Sequence, residues 1–330
     1  IMFGLGFVVC GLAKNVPMLI IGFGLMCGLG MGLAYGCTIS NSVKFFPDKK
    51  GLVGGIATAS YGISSVIVPP IANRLNDAVG VNNSFLIIGI VTVVVVGIFS
   101  LFVEKTPCPN GFAPLGWEAP RKTVGDAGRK SSHEKNWKEM ISSPIFYVMI
   151  IMLFFGGSFG MMAISQASGM AQKMIGMTPA AAAVVVSVLA LFNAAGRIVA
   201  GVLSDKLGRI NTLTLVYILA IVALGLLFIC KEGSVAIFYV GICLIGVCFG
   251  AFMGIYPGFT SDNFGVKNSS INYGIMFIGF SASGLAAPLI ISNIYKTTGA
   301  YQKAFIVAIV MAAVGLALSF MYRALEKTHS

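Results

Sequence analysis

Long apolar segments recur along this chain, and they constrain its fold more than any other feature. An α-helix needs about 20 apolar residues to cross the hydrocarbon core of a bilayer. Because a membrane β-barrel would show alternating segments of about 10 residues instead, the sequence predicts an all-α polytopic membrane protein. The segments lie at roughly 17–40, 51–73, 84–103, 145–171, 179–203, 211–230, 234–258, 270–293 and 301–323.

The composition supports this prediction, because 57% of the residues are hydrophobic and only 10% are charged. A soluble domain of this length is therefore excluded. A shorter apolar stretch, Ile1–Ala13, follows no basic region and precedes no small-residue cleavage site, so it does not resemble a signal peptide. We interpret it as the end of a helix, and we expect a chain that lacks its first helices.

Lysine and arginine are unevenly distributed between the two faces that alternate loops would occupy. One face collects fifteen of the 22 basic residues, including those nearest the C-terminus, whereas the other collects six. Since short cytoplasmic loops carry the positive excess, we expect a multi-pass protein of the cell membrane with a cytoplasmic C-terminus. The net charge of +11 is then a signal of topology and of attraction to anionic lipid, and we expect no nucleic-acid partner.

The sequence offers no arrangement typical of an enzyme or a metal site. Its seven cysteines lack metal-ligand spacing, Cys108 lies in a predicted cytoplasmic loop, and His133 and His329 lie in polar regions. We find no phosphate-binding loop, no paired catalytic carboxylates and no nucleophile motif. We therefore expect a protein that is not an enzyme and that holds no metal or cofactor.

The longest polar interruption, from Glu104 to Ser143, divides the apolar segments into two groups. We predict an N-terminal bundle over 1–103, a cytoplasmic linker over 104–144 and a C-terminal six-helix bundle over 145–330. A weak internal repeat supports two related bundles, because shifting residues 42–69 by 219 positions gives six identities, such as Pro69 with Pro288. Parallel halves of a transporter show such repeats.

Three motifs carry a resemblance to known families. The loop Gly201-x-x-x-Asp205-Lys206-x-Gly208-Arg209 resembles the signature of the major facilitator superfamily, placed between the second and third helices of the C-terminal half. Two further stretches resemble the oxalate/formate antiporter family; they read Lys44-Phe-Phe-Pro47-Asp48-Lys49-Lys50-Gly51 and Pro109-Asn-Gly111-Phe-Ala-Pro114-Leu-Gly116-Trp117-Glu-Ala-Pro120. The resemblance covers essentially the whole chain.

The resemblance implies a major facilitator fold of two pseudo-symmetric bundles, with about nine or ten of twelve helices present. It also implies a small carboxylate substrate, and we expect a monomer. In the superfamily the loop signature acts as a conformational latch, which implies a gating role for Gly201, Asp205, Lys206, Gly208 and Arg209. The alternative is a capped, positively charged loop without such a role.

Arg197 is the only charged side chain well inside an apolar segment. Charged residues in such segments usually face a protein interior or a watery cavity. A guanidinium matches a carboxylate with a planar donor fork, so we expect Arg197 to bind a small organic anion, with Asn193 one turn away orienting it. The alternative is an arginine that extends to the headgroups.

Two departures from related carriers narrow the expected substrate. Proton-linked monocarboxylate carriers have an aspartate where Asn193 stands, and oxalate carriers have a lysine near the position of Phe280. The resemblance therefore favours a monoanion such as formate, pyruvate or lactate over oxalate, by exchange or uniport. Proton symport, a neutral-solute carrier and a carboxylate sensor are the alternatives.

Several polar and aromatic side chains are further candidates for the cavity, because each could orient a carboxylate by a hydrogen bond. Each could equally bridge two helices or sit at the membrane interface. The candidates are Tyr35, Tyr61, Gln166, Tyr256, Asn272 and Tyr273.

Overall fold

The computed structural model describes residues 1–46, 49–103 and 134–329. Nine helices in these ranges are long and apolar enough to cross a membrane, which confirms the all-α polytopic prediction. The helices are α1 (Met2–Gly11), α2 (Val16–Leu19), a π-helical segment (Ile20–Cys27), α3 (Gly28–Phe45), α4 (Lys50–Val79), α5 (Val81–Ser100), α6 (Trp137–Ile141), α7 (Pro144–Lys173), α8 (Pro179–Leu207), α9 (Arg209–Ile229), α10 (Val235–Phe264), α11 (Ser269–Thr298) and α12 (Gln302–His329).

Most spans are longer than the apolar segments that predict them. The segment predicted at 234–258, for example, is the helix Val235–Phe264. Its last turn contains Ser261 and Asp262, whose polarity ends the apolar pattern without ending the backbone hydrogen bonding. Hydropathy therefore marks the part of a helix that lies in hydrocarbon, whereas the helix itself continues as far as its backbone hydrogen bonding.

The segment predicted as one helix over 17–40 is continuous, but its middle is π-helical. This part packs closely on α1, because a Cβ at Gly22 would lie 2.9 Å from the Cys10 sulfur and from the Gly6 carbonyl oxygen. The Cys27 thiol also donates a hydrogen bond to the Phe3 carbonyl at 3.3 Å. The apolar pattern predicts a spanning helix here but does not distinguish α from π hydrogen bonding.

The predicted cytoplasmic linker lies largely outside the described residues, which omit 104–133 and with them His133 and the resemblance motif at 109–120. Pro47 and Asp48 also lie outside them. Within the described part, the Glu134 carboxylate accepts the backbone N–H groups of Val266 and Lys267, at 3.2 and 3.0 Å. The residues before α7 therefore pack against the turn between α10 and α11, and the domain boundaries stay a prediction.

One end of the assembly carries the basic residues Lys50, Lys206, Arg209, Lys267 and Arg323, and we call it the basic end. Helices α4, α9 and α11 begin there, and α8 and α10 end there. A single residue, Gly208, turns the chain from α8 into α9 with a φ of 87°. Because L side chains rarely adopt such a φ, the glycine is needed for a turn this short.

Glycines allow α4, α8 and α10 to cross at backbone distance. A Cβ at Gly201 of α8 would overlap the Gly51 carbonyl oxygen of α4. Arg197 lies one turn before Gly201 on α8. A Cβ at Gly55 of α4 or at Gly254 of α10 would overlap the Arg197 carbonyl oxygen. Such small residues let membrane helices approach closely, so the backbone around Arg197 is enclosed by α4, which precedes residues 104–133, and by α10, which follows them.

We expect Gly201→Val to destabilise the protein by about 1–3 kcal/mol, because its side chain would force α4 away from α8. The measurement is thermal unfolding of the purified protein in detergent. Gly225→Val in α9 is the matched control, since a Cβ at Gly225 meets no atom within 4 Å. Equal losses in the two variants would contradict the steric explanation.

Candidate functional site

The Arg197 side chain lies inside the helix assembly and does not extend to the basic end. It is 9% exposed. Its Nε donates to the Asn193 Oδ1 at 3.3 Å, and its Nη1 donates to the main-chain carbonyl of Thr58 in α4. The guanidinium therefore joins a helix that precedes residues 104–133 to one that follows them.

Asn193 is a hydrogen-bond acceptor for Arg197 in this structure. The sequence suggests that its amide orients a substrate carboxylate, but the amide oxygen accepts from Arg197. Because an amide is neutral, the contact fixes the guanidinium without neutralising its charge. An aspartate at the same position would supply a counter-ion within the protein.

Arg197 borders a cavity of about 490 Å³ between the two groups of helices. This volume lies in the range typical of small-molecule sites. The lining comes from α3, α4, α8, α10 and α11; it consists of Gly28, Met31, Gly32, Tyr35, Gly36, Tyr61, Arg197, Met253, Tyr273, Gly274, Phe277, Ile278, Phe280 and Ser281.

Three tyrosines lie together at this cavity. The ring of Tyr35 contacts that of Tyr61 edge to face, with centroids 4.9 Å apart, and stacks on Tyr273 at 6.4 Å. The Tyr273 hydroxyl is buried beside that of Tyr35. The structure thus brings together Arg197, Tyr35, Tyr61, Tyr273 and Phe280 of the candidates chosen from sequence, with Asn193 behind the arginine.

Three other candidates do not line the cavity. Tyr256 is buried and donates to the Met149 carbonyl at 2.9 Å. Asn272 donates to the Lys135 carbonyl at 3.0 Å, and Gln166 accepts from the Tyr301 hydroxyl at 3.3 Å. Each of these side chains lies on a helix face that packs against another segment.

A network of charged groups joins α4, α8, α9 and α10 at the basic end. The Asp205 carboxylate at the end of α8 accepts the backbone N–H groups of Gly51 and Leu52 in the first turn of α4, each at 2.9 Å. These are donors that a helix N-terminus leaves unpaired, and the helix dipole favours an anion there. Asp205 therefore caps a helix on the other side of the cavity.

Arg209 extends this network through α9 and α10. It pairs with Asp205 at 2.6 Å and with Asp262 at 3.0 Å, and Lys50 of α4 pairs with Asp262 at 2.9 Å. Lys206, the remaining charged residue of the loop signature, is exposed and takes no part in these pairs. The network thus contains Asp205 and Arg209 as expected, and adds Lys50 and Asp262.

A further contact across the same end joins α3 to α11. Both hydroxyls are buried, and the Ser269 Oγ lies 3.3 Å from the Ser40 Oγ. The sequence alone does not point to Thr58, Lys50, Asp262 or this serine pair. Thr58 contributes only its backbone, which no side-chain pattern can reveal, whereas Asp262 had a signal as an acidic residue closing an apolar segment.

Comparison with known proteins places these features in one family. Residues 1–288 match the model of the Major Facilitator Superfamily. The chain is 28% identical over 285 residues to an uncharacterized MFS-type transporter, YhjX, of Escherichia coli K12, covering 86% of the chain and 67% of that protein. It is 26% identical over 318 residues to the oxalate:formate antiporter of Oxalobacter formigenes, covering 95% of the chain and 71% of the antiporter.

More distant relatives agree on the fold. The chain is 24% identical to monocarboxylate transporter 12 of Rattus norvegicus, covering 98% of the chain and 70% of that protein. Its structure superposes on the crystal structure of the transporter FucP in the outward conformation with a TM-score of 0.67, covering 97% of the chain and 80% of FucP at 15% identity.

We expect Asp205→Asn to loosen the basic end, because the amide removes the charge that pairs with Arg209 and with the α4 N-terminus. The measurement is labelling of Ser269→Cys by a charged thiol reagent, in a chain otherwise free of cysteines. Labelling should rise several-fold in membrane fragments, where both faces are accessible.

Lys206→Gln is the matched control for this test, since Lys206 is adjacent to Asp205 but lies outside the ion pairs. It should leave the labelling of residue 269 unchanged. If Asp205→Asn also left it unchanged, the network would not hold this end closed.

Proposed function

Because the chain belongs to the major facilitator superfamily, we propose that it is a secondary transporter of small monocarboxylates that works by alternating access. The observation that carries this proposal is the buried Arg197 guanidinium beside a cavity between the two groups of helices. The names of two relatives, an oxalate:formate antiporter and a monocarboxylate transporter, support organic anions as the substrate class.

Arg197 would bind the carboxylate. A guanidinium has more N–H donors than the contacts to Asn193 and Thr58 use, so its remaining edge is available to an anion. Hydrogen bonds between ionised partners are stronger than neutral ones. The hydroxyls of Tyr35, Tyr61 and Tyr273 lie on residues lining the same cavity and would complete the anion site.

The network around Asp205 would form the gate at one side of this site. We assign the basic end to the cytoplasm, in a cell membrane, because short cytoplasmic loops carry the positive excess. The structure then corresponds to a carrier closed toward the cytoplasm. Opening would break the contacts of Asp205 with Gly51 and Leu52 and the pair between Lys50 and Asp262.

Exchange or uniport is the favoured mode of transport. The described residues that line the cavity include no aspartate, glutamate or histidine. Proton symport normally uses such titratable groups inside the membrane. Asn193 supports the same choice, because an amide cannot carry a proton between the two faces.

A monoanion is the favoured substrate because the described lining contains a single cation. Phe280 lines the cavity near the position where oxalate carriers present a lysine, and it stacks on Phe249 with centroids 5.8 Å apart. One guanidinium balances one carboxylate. The second carboxylate of oxalate would face an aromatic wall, so formate, pyruvate and lactate are better candidates.

We expect Arg197→Gln to lower carboxylate exchange at least about a hundredfold, because it removes charged hydrogen bonds of about 1.5–3 kcal/mol each. Arg197→Lys should retain only part of the activity, since an ammonium cannot hold Asn193, Thr58 and a carboxylate in one plane. The measurement is exchange of labelled carboxylates into preloaded proteoliposomes.

Arg74→Lys, at the exposed far end of α4, is the matched control and should exchange normally. Unchanged uptake of every tested carboxylate by a folded Arg197→Gln protein would show that the anion site lies elsewhere.

We expect Phe280→Lys to shift preference toward oxalate, because a second cation would balance the second carboxylate. Competition of oxalate and pyruvate for exchange measures this shift in the same proteoliposomes. Phe280→Leu removes the ring without adding charge and should not favour oxalate. An oxalate preference unaffected by the lysine would place the bound substrate away from α11.

A further inference from the structure

We propose that the site selects monocarboxylates whose carboxylate is attached to a branched or aromatic apolar body, rather than the smallest acids. This inference rests on the proposed carboxylate site at Arg197 and adds the chemical class of the rest of the ligand. It comes from the division of the cavity into a polar part and an apolar part.

The polar part of the cavity is small. It is formed by Arg197, Tyr35, Tyr61 and Tyr273, and the Tyr273 hydroxyl is buried beside that of Tyr35. A carboxylate on Arg197 would supply an acceptor to these tyrosine hydroxyls. These groups suffice for one carboxylate.

The rest of the lining is apolar. Met31 projects from α3, Met253 from α10, and Phe277, Ile278 and Phe280 from α11. The Phe277 and Phe280 rings pack with centroids 4.8 Å apart, which makes one continuous aromatic wall.

Ser281 is the other hydroxyl of the lining, and its own helix already satisfies it, because Oγ donates to the Phe277 carbonyl at 3.1 Å. A ligand that fills this part of the cavity therefore needs an apolar surface. Oxalate would bring an unpaired charge there, and formate has no atoms to reach it.

Glycines on α3 and α11 widen the cavity. Gly28 and Gly32 are one turn apart on α3, Gly274 is on α11, and all three line the cavity. A Cβ at any of them would meet no atom within 4 Å. No described neighbour needs these glycines for close packing, in contrast to Gly51 and Gly201, whose added Cβ atoms would overlap backbone.

Glycine also weakens a helix relative to almost every other residue. At these three positions the missing side chains leave open space in the cavity, and we assign this space to the body of the substrate. A side chain introduced at these positions should therefore occupy ligand space without disturbing the helices.

The test measures binding of a series of 2-oxo acids to the purified full chain by isothermal titration calorimetry. Pyruvate, 2-oxobutanoate, 2-oxopentanoate, 4-methyl-2-oxopentanoate and phenylpyruvate share one carboxylate and differ in their apolar body. Each buried methylene contributes up to roughly fourfold in affinity. We expect affinity to rise from pyruvate to 4-methyl-2-oxopentanoate, and formate and oxalate to bind more weakly than either.

Gly32→Leu fills the proposed body site and should abolish the gain in affinity from pyruvate to the branched and aromatic acids. Gly225→Leu is the matched control, because Gly225 is equally unobstructed but lies on α9, outside the cavity lining. It should leave the whole series unchanged. Thermal unfolding of both variants verifies that they are folded.

The outcomes separate this inference from the proposed function. If all the acids bind with equal affinity, or bind more weakly as the body grows, and Arg197→Gln abolishes their binding, the carboxylate site stands and the apolar selection is overturned. If none of the acids binds to the unmodified protein, the carboxylate site itself is overturned, and this inference with it. Retained affinity of the larger acids in Gly32→Leu would also overturn the placement of the body beside α3.

Discussion

A guanidinium inside a membrane protein must be solvated by the protein, and this requirement organises the structure around Arg197. Asn193 supplies one acceptor from the same helix, and Thr58 supplies another from the backbone of α4. The second acceptor is within reach only because α4 approaches α8 at backbone distance. Gly55 and Gly254 make that approach possible, because a Cβ on either would overlap the Arg197 carbonyl oxygen. The close helix crossing and the buried cation therefore depend on each other.

The packing of α4 against α8 continues to the basic end. There the contacts between helices involve charged side chains in place of the amide and carbonyl groups around Arg197. Asp205 accepts N–H groups from the first turn of α4 while pairing with Arg209, so one carboxylate serves a helix N-terminus and a guanidinium together. These contacts are partly exposed to water, which weakens each of them. Contacts of modest individual strength suit a gate, because they hold two groups of helices together and can still be broken.

The sequence predicts the spans, the buried arginine and the charged loop, because each depends on residue type and on position along one helix. The helix face is harder to predict, as the tyrosines illustrate. Tyr35 and Tyr273 line the cavity, whereas Tyr256 donates to the Met149 carbonyl within the C-terminal helices. Which face of a helix meets a cavity is decided by its rotation against its neighbours. The contact of Arg197 with Thr58 was hidden for another reason, because the acceptor is a main-chain atom whose availability depends on helix packing.

In the proposed transporter, charge balance links the anion site at Arg197 to the movement that alternating access requires. Among the described residues, the groups that accept from Arg197 are neutral, and its contact with Thr58 joins α8 to α4. Separating the helices would remove an acceptor from a charge that hydrocarbon cannot solvate. In the proposed transporter, a bound carboxylate would neutralise the guanidinium and accept from its remaining N–H donors, so that loss of the Thr58 acceptor would cost less. The loaded carrier would then separate its helices at a lower energetic cost than the empty one, which is the property that favours exchange of one anion for another.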